Sequence, residues 1–182
     1  VKVTSIISLF RFNRMGYERI GLEALRDKVM TAQEAAALIN NGMIVGSSGF
    51  TRGGDTKVVL KAFAQRAKNE DLKITLVTGA SLGHDTDAEL AESGALKKRL
   101  PFQVDTVLRK NINTGNVLFI DQHLGETAEH ILNGEFKIDV AILEVTEILE
   151  DGSIIPTTSV GNNVDIAKSA DKIILEINTS IP

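Results

Sequence analysis

The stretch Lys73-ITLVTGASLGHDTDAELA-Glu92 decides the fold. Lys73 to Thr78 is a short apolar, β-branched run, the composition of a buried strand. Gly79-Ala-Ser-Leu-Gly83 closes it, and Thr86 to about Glu92 reads as a helix. Strand, glycine-bearing turn and helix make half of a βαβ unit, and the pattern recurs in both directions. Towards the N-terminus, Glu18 to Val29 reads as a first helix with Leu22, Leu25 and Val29 on one stripe. Thr31-Ala-Gln-Glu34 is a capping box opening a helix that Gly42 ends. Met43 to Val45 reads as a strand and Gly46 to Gly54 as a glycine-rich loop. Asp55 or Thr56 then caps a helix to about Lys68, with Val58, Val59, Ala62 and Phe63 inward. Towards the C-terminus come a helix at Thr106 to Asn113, a strand at Val117 to Ile120 and a helix at Glu126 to Leu132. A strong strand at Asp139 to Val145, an Asp-Gly hairpin turn at Glu150 to Ser153, a helix at Asn163 to Ser169 and a strand at Lys172 to Ile177 complete the chain. The fold class is α/β: one domain with a mostly parallel sheet and helices on both faces.

Composition narrows the function. With 20 Lys+Arg against 24 Asp+Glu, a net charge of -4, the chain has no basic footprint for nucleic acid. The absence of Cys excludes thiolate metal sites and cysteine nucleophiles within the sequence. No apolar run reaches the roughly 18 residues that span a bilayer, so no membrane partner is expected and the cytoplasm is the expected location. At the N-terminus, Arg11 and Arg14 follow the apolar stretch Val3 to Phe12, the reverse of a signal peptide, and Met15 stands before Gly16. Residues 1–14 are therefore expected to be an upstream or vector-derived arm, and 15–182 the domain. The other reading of the arm is a true first strand or a segment packing on a neighbour.

In open α/β sheets, ligands sit beyond the carboxyl ends of the strands. Three loops there expose backbone and small polar side chains. Gly46-Ser-Ser-Gly-Phe-Thr51 has free N–H groups and close approach, yet it is neither a dinucleotide fingerprint nor a Walker A loop nor a nucleophile elbow. A tight strand-to-helix turn explains it as well. Ser81, His84 and Asp85 invite a triad reading, but real triads converge from separate loops, so a polar loop with a helix cap at Asp85 is preferred. Asp121, His123, Glu126 and His130 match no usual zinc spacing, so no metal site is expected, and His130 is placed on a solvated helix face.

Together the segments LEALRDKVMTAQEAAALI, VGSSGFTRGGD, ITLVTGASLG, LPFQVDTVLRKNINTG, FIDQHLGETAE, EDGSIIPTTSVGN and IILEIN resemble the N-terminal domain of the acetyl-CoA hydrolase/transferase family, of the class I CoA-transferases. The resemblance runs from about Glu18 to Pro182 and is strongest to the succinate or propionate CoA-transferase group. It implies a ping-pong exchange of CoA between short-chain acids such as succinate, acetate and propionate. A glutamate attacks the acyl-CoA and becomes a glutamyl-CoA thioester. That glutamate belongs to a C-terminal domain missing here, so no catalytic residue is expected within this chain. Glu144 and Glu147 are not promoted to the role; Glu144 is expected to face the cleft or pair with Arg or Lys. Coenzyme A enters as a substrate, with no permanently bound cofactor. The partners implied are acyl-CoA, small carboxylic acids, the missing domain and a second copy in a homo-oligomer. By resemblance, the substrate-facing residues are Gly46, Ser47, Gly49, Phe50 and Thr51 against the acyl group, and Ser81 in the carboxylate pocket. Val104 stands where relatives carry Ser or Thr, and His123, Ser159, Gly161 and Asn162 lie in further pocket-side motifs. The glycines and Asn162 also fit a purely structural role in turns and helix capping. A same-family hydrolase and a non-catalytic CoA-binding module are the other readings.

Overall fold

The computed structural model describes residues 6–9, 14–135 and 137–181. Among the described residues nine strands form one sheet: β1 Ile6–Leu9, β2 Val29–Met30, β3 Ile44–Ser47, β4 Ile74–Thr78, β5 Leu96–Leu100, β6 Leu118–Phe119, β7 Val140–Ile148, β8 Ile154–Pro156 and β9 Lys172–Ile177. Their order is β2-β1-β9-β7-β3-β4-β5-β6, with β8 paired to β7. Every pairing is parallel except the β7–β8 hairpin. The helices are α1 Ala32–Ala36, α2 Val59–Ala67, α3 Thr86–Glu92, α4 Thr106–Asn113, α5 Leu124–Leu132 and α6 Asn163–Ser169.

Alternation along the strands builds two cores, because successive side chains point to opposite faces. Ile74, Leu76, Val140, Ile142 and Ile174 enter one core with Leu60 and Phe63 of α2 and Leu90 of α3. Val77, Ala141, Leu143, Leu175 and Ile177 enter the other with Ile131 of α5 and Ile166 of α6. Both faces are thus covered, as a central parallel sheet requires. α6 lies so close to β3 that a Cβ on Gly46 would stand 2.5 Å from Ile166 Cγ2. Gly46 is therefore a packing residue beneath the helix.

Several local expectations are corrected. Glu18 to Val29 is not one helix but two 3₁₀ turns, Arg14–Arg19 and Glu23–Lys28, leading into β2. β3 starts at Ile44 and runs through Gly46 and Ser47, which therefore belong to the strand. α2 starts at Val59, and neither Asp55 nor Thr56 caps it. The Glu176 carboxylate of β9 does so, accepting the N–H groups of Lys57 (3.0 Å) and Val59 (2.8 Å) and approached by that of Val58. α1 stops at Ala36, well before Gly42. Asp85 precedes α3 with a left-handed φ of 59° and no side-chain cap bond. Strand β5 was not expected, because Leu96-Lys-Lys-Arg-Leu100 carries three cations. Arg99 nevertheless enters the interior, with all five N–H groups placed. Nε and Nη2 fork onto Asp87 (2.9 and 3.1 Å), Nη1 reaches Thr78 Oγ1 and Leu100 O, and Nη2 also reaches Ala80 O. Of the N-terminal arm, Ile6–Leu9 runs as strand β1 beside β9, and residues 1–5 and 10–13 lie outside the described residues.

Candidate functional site

From β3 the chain steps outward through β4 and β5 to β6, with α2, α3 and α4 packed in sequence on one face. It returns through α5, which packs against α6 on the other face, to place β7 on the far side of β3. The chain order thus reverses between β3 and β7, the kind of switch point beyond whose strand ends α/β sheets bind ligands. Ser48 ties the two strand ends together: its N–H donates to Ile142 O (2.9 Å), and its hydroxyl accepts from the Glu144 N–H (2.8 Å) and donates to Gly54 O (2.7 Å).

Loops distant in sequence meet along this rim. A Cβ on Gly79 would stand 2.8 Å from Gly49 O and 3.6 Å from the Asn162 nitrogen, so these three backbones touch. Gly161, with φ 48°, packs on Gly79. Asn162 Nδ2 donates to Leu124 O (3.2 Å), joining the segment before α6 to the start of α5. The Gln122 N–H donates to Pro101 O (3.3 Å), drawing in the loop after β5. Ser159 Oγ donates to Gly53 O (2.6 Å), which anchors the 157–162 segment to the loop after β3.

Within this frame the residues singled out in the sequence differ in role. Gly49, at φ 137°, lies so close to Asp55 that a Cβ would meet it at 2.8 Å. Phe50 is 45% exposed above a tight turn closed by Phe50 and Gly53, which exchange both backbone bonds (3.0 and 3.1 Å). Thr51 is exposed with a left-handed φ of 59°. Ser47 turns inward and hydrogen-bonds Thr56 Oγ1 (2.5 Å), so its hydroxyl is engaged in the interior. Ser81 is buried just past β4, and Val104 is exposed immediately before the Asp105 cap of α4. His123 caps α5: its Nδ1 accepts the Gly125 N–H (3.3 Å) and Glu126 accepts the His123 N–H, a complete capping box. His130 pairs with Glu135 at 2.6 Å. Among the described residues no three His, Cys, Asp or Glu side chains are arranged to hold a metal ion.

Two charged clusters join elements distant in sequence, and the first gives Glu144 the cationic partner expected of it, Lys57. Glu144 is buried within β7, which continues to Ile148. Its carboxylate takes Lys57 Nζ (2.6 Å), Asn178 Nδ2 (2.8 Å) and Thr157 Oγ1 (2.8 Å). Glu176 stands beside it in register on β9, and burial raises its pKa against the lowering effect of the α2 N–H groups and Lys57. The second cluster joins the loops after β3 and β4. Asp55, fully buried, accepts the Gly83 N–H (3.1 Å) and faces His84 Nδ1 (3.0 Å) through the same oxygen, Oδ2. A pairing that comes from another loop could not be read from Ser81, His84 and Asp85 as neighbours. An apolar cavity of about 330 Å³ lies between α6 and the β7–β8 hairpin, next to the Gly161–Asn162 part of the rim, where Val160 and Val164 are exposed.

The acetyl-CoA hydrolase/transferase N-terminal domain matches residues 13–182. The chain is 44% identical over 168 residues to the succinyl-CoA:acetate CoA-transferase of Clostridium kluyveri, covering 91% of this chain and 31% of that protein. It is 39% identical over 155 residues to the propanoyl-CoA:succinate CoA transferase of Escherichia coli (82% of this chain, 32% of that one). It is also 39% identical over 153 residues to the acetyl-CoA hydrolase of Schizosaccharomyces pombe (78% and 29%). The chain thus spans about a third of the length of these curated relatives. The crystal structure of glutaconate coenzyme A-transferase from Acidaminococcus fermentans shares the fold, with TM-score 0.67 at 18% identity, over 83% of this chain and 68% of that one. No described helix is long and apolar enough to cross a membrane. By its sequence from residue 13 onward, this chain belongs to the acetyl-CoA hydrolase/transferase family, whose N-terminal domain it carries.

Proposed function

We propose that this domain forms the N-terminal wall of the active site of an acyl-CoA:carboxylate CoA-transferase. The observation that carries the reading is the meeting of the Gly49, Gly79, Gly161–Asn162 and Leu124 backbones on one rim. Turns that only reverse the chain have no reason to cluster so. In this reading Phe50 and Thr51 stand against the acyl group and Ser81 lines the carboxylate pocket. The nucleophilic glutamate comes from the remaining length that the relatives have. Glu144 is not that nucleophile: a carboxylate holding three donors, one of them an ammonium at 2.6 Å, is a poor attacker. The exposed Val160 and Val164 beside the rim suit a surface that a second domain covers. The Schizosaccharomyces pombe relative favours hydrolysis as the other reading, with water as final acceptor.

Label exchange between acetate and acetyl-CoA tests this. The 182-residue chain alone is expected to show none, and the complete enzyme to show it. Ser81→Ala in the complete enzyme removes one hydroxyl, a loss of about 1 kcal/mol or about fivefold in carboxylate use. Exchange by the chain alone would overturn the placement of the nucleophile.

A further inference from the structure

The described residues include three non-glycine positions with left-handed φ: Thr51 (59°), His84 (53°) and Asp85 (59°). All lie in the two loops that face each other across Asp55. A left-handed side-chain residue is strained, and two in succession persist only where the surroundings hold them. What holds His84 is Asp55: Nδ1 stands 3.0 Å from an oxygen of a carboxylate that is itself fully buried. The other oxygen, Oδ1, is buried and accepts no hydrogen bond among the described residues. In the same two loops, Arg52 packs on Gly83, Asp85 follows His84 in the chain, and Lys57 Nζ donates to the main-chain oxygen of Asp55 (2.7 Å). A carboxyl oxygen accepting at Nδ1 selects the tautomer with the proton there and leaves the lone pair on Nε2. The His84 side chain is 51% exposed, three residues past Ser81 on the same wall.

We propose that the Asp55–His84 pair is a proton-transfer site that activates water against an acyl thioester, giving this enzyme a hydrolytic branch beside transfer. The proposal rests on the acyl-CoA reading of the same rim. Water adds to the acyl carbonyl carbon as its proton passes to His84 Nε2. The tetrahedral intermediate collapses, the C–S bond breaks with its electron pair on sulfur, and Nε2 returns the proton to the thiolate. Carboxylic acid and CoA thiol leave, and the imidazole is restored. Asp55 acts only as a positioning residue.

The test compares thiol release in water with label exchange into acetate, in the complete enzyme, for wild type and His84→Asn. Asparagine tolerates left-handed φ, and its amide can still donate to Asp55, so the loop is preserved while Nε2 is lost. The expected result is a hydrolysis-to-exchange ratio lower by about 10²-fold. A ratio unchanged in His84→Asn, with both activities intact or both reduced together, overturns the proton-transfer role while leaving the transferase reading in place. A wild type that turns over no acyl-CoA defeats both. Nitrogen-resolved NMR of the 182-residue chain gives a second arm independent of turnover. Neutral His84 is expected as the Nδ1–H tautomer, reverting towards the ordinary mixture in Asp55→Asn. An Nε2–H tautomer in the wild type refutes the pairing.

Discussion

Replacing Gly79 by alanine tests the contact on which the site depends. Gly79 is not among the glycines with left-handed φ, so alanine meets no backbone strain there. The obstacle is space: the new methyl would lie 2.8 Å from Gly49 O, whereas ordinary contact begins near 3.4 Å. One loop must move by about 0.6 Å, and both partners are backbone atoms that cannot rotate aside. Overpacking of this kind costs about 1–3 kcal/mol. The smaller unfolded-state entropy of alanine returns about 0.4–1 kcal/mol. The net loss, about 1.3 kcal/mol at the middle of these ranges, lowers the melting temperature by about 3–5 °C for a domain of this size. Gly125→Ala is the matched control, since its methyl would find only the His123 ring at 3.5 Å. Within α5 it should be neutral or stabilising by up to about 1 kcal/mol. Thermal melting of the three proteins decides stability. Exchange kinetics of the complete enzyme should show Gly79→Ala losing activity beyond its stability deficit, because a site tolerates only about 0.5 Å of misplacement. A Gly79→Ala protein as stable and active as wild type would refute the close packing of the two loops.

Asp87→Asn leaves the buried Arg99 guanidinium without its counter-charge and should cost about 3–5 kcal/mol, read from urea midpoints; a loss under about 1 kcal/mol would mean water reaches that pair. Because burial raises the Glu176 pKa above its ordinary 4.5, the folded protein holds that proton more tightly than the unfolded chain. Its contribution favours folding below the unfolded value and is lost as pH rises through the folded one. Stability of the non-titrating Glu176→Gln, relative to wild type, should therefore rise as the pH climbs above the ordinary carboxyl range, and a fall would contradict the sign.

Legibility in the sequence followed the locality of the forces. α3, α4, α6 and β9 lie where the residues predict them, because each is set by its own periodicity and flanking turns. The Thr31–Glu34 capping box is also as read, with all its partners within four residues. β5 was hidden because Arg99 counts as a surface residue until Asp87, Thr78 and Ala80 are known to surround it. The start of α2 was misread for the same reason: its cap, Glu176, is 117 residues away from Val59. At the site, the rim loops were visible as glycines and small polar residues after strands. Which of them turn outward was not visible. Ser47 and Ser48 are equivalent on paper, but only the fold sends one hydroxyl to Thr56 and the other to bridge β3 and β7.

The order of the strands also bears on how copies of this domain can meet. The outermost strands, β2 and β6, are two residues long. So short an edge presents only a few free N–H and C=O groups, too few to template another chain. Sheet-to-sheet extension is blunted at both of these margins, and the remaining edge, β8, is three residues long and ends at Pro156, which has no N–H to offer. Self-association should therefore be more sensitive to substitutions on helical faces or the loop rim than in Val29, Met30, Leu118 or Phe119.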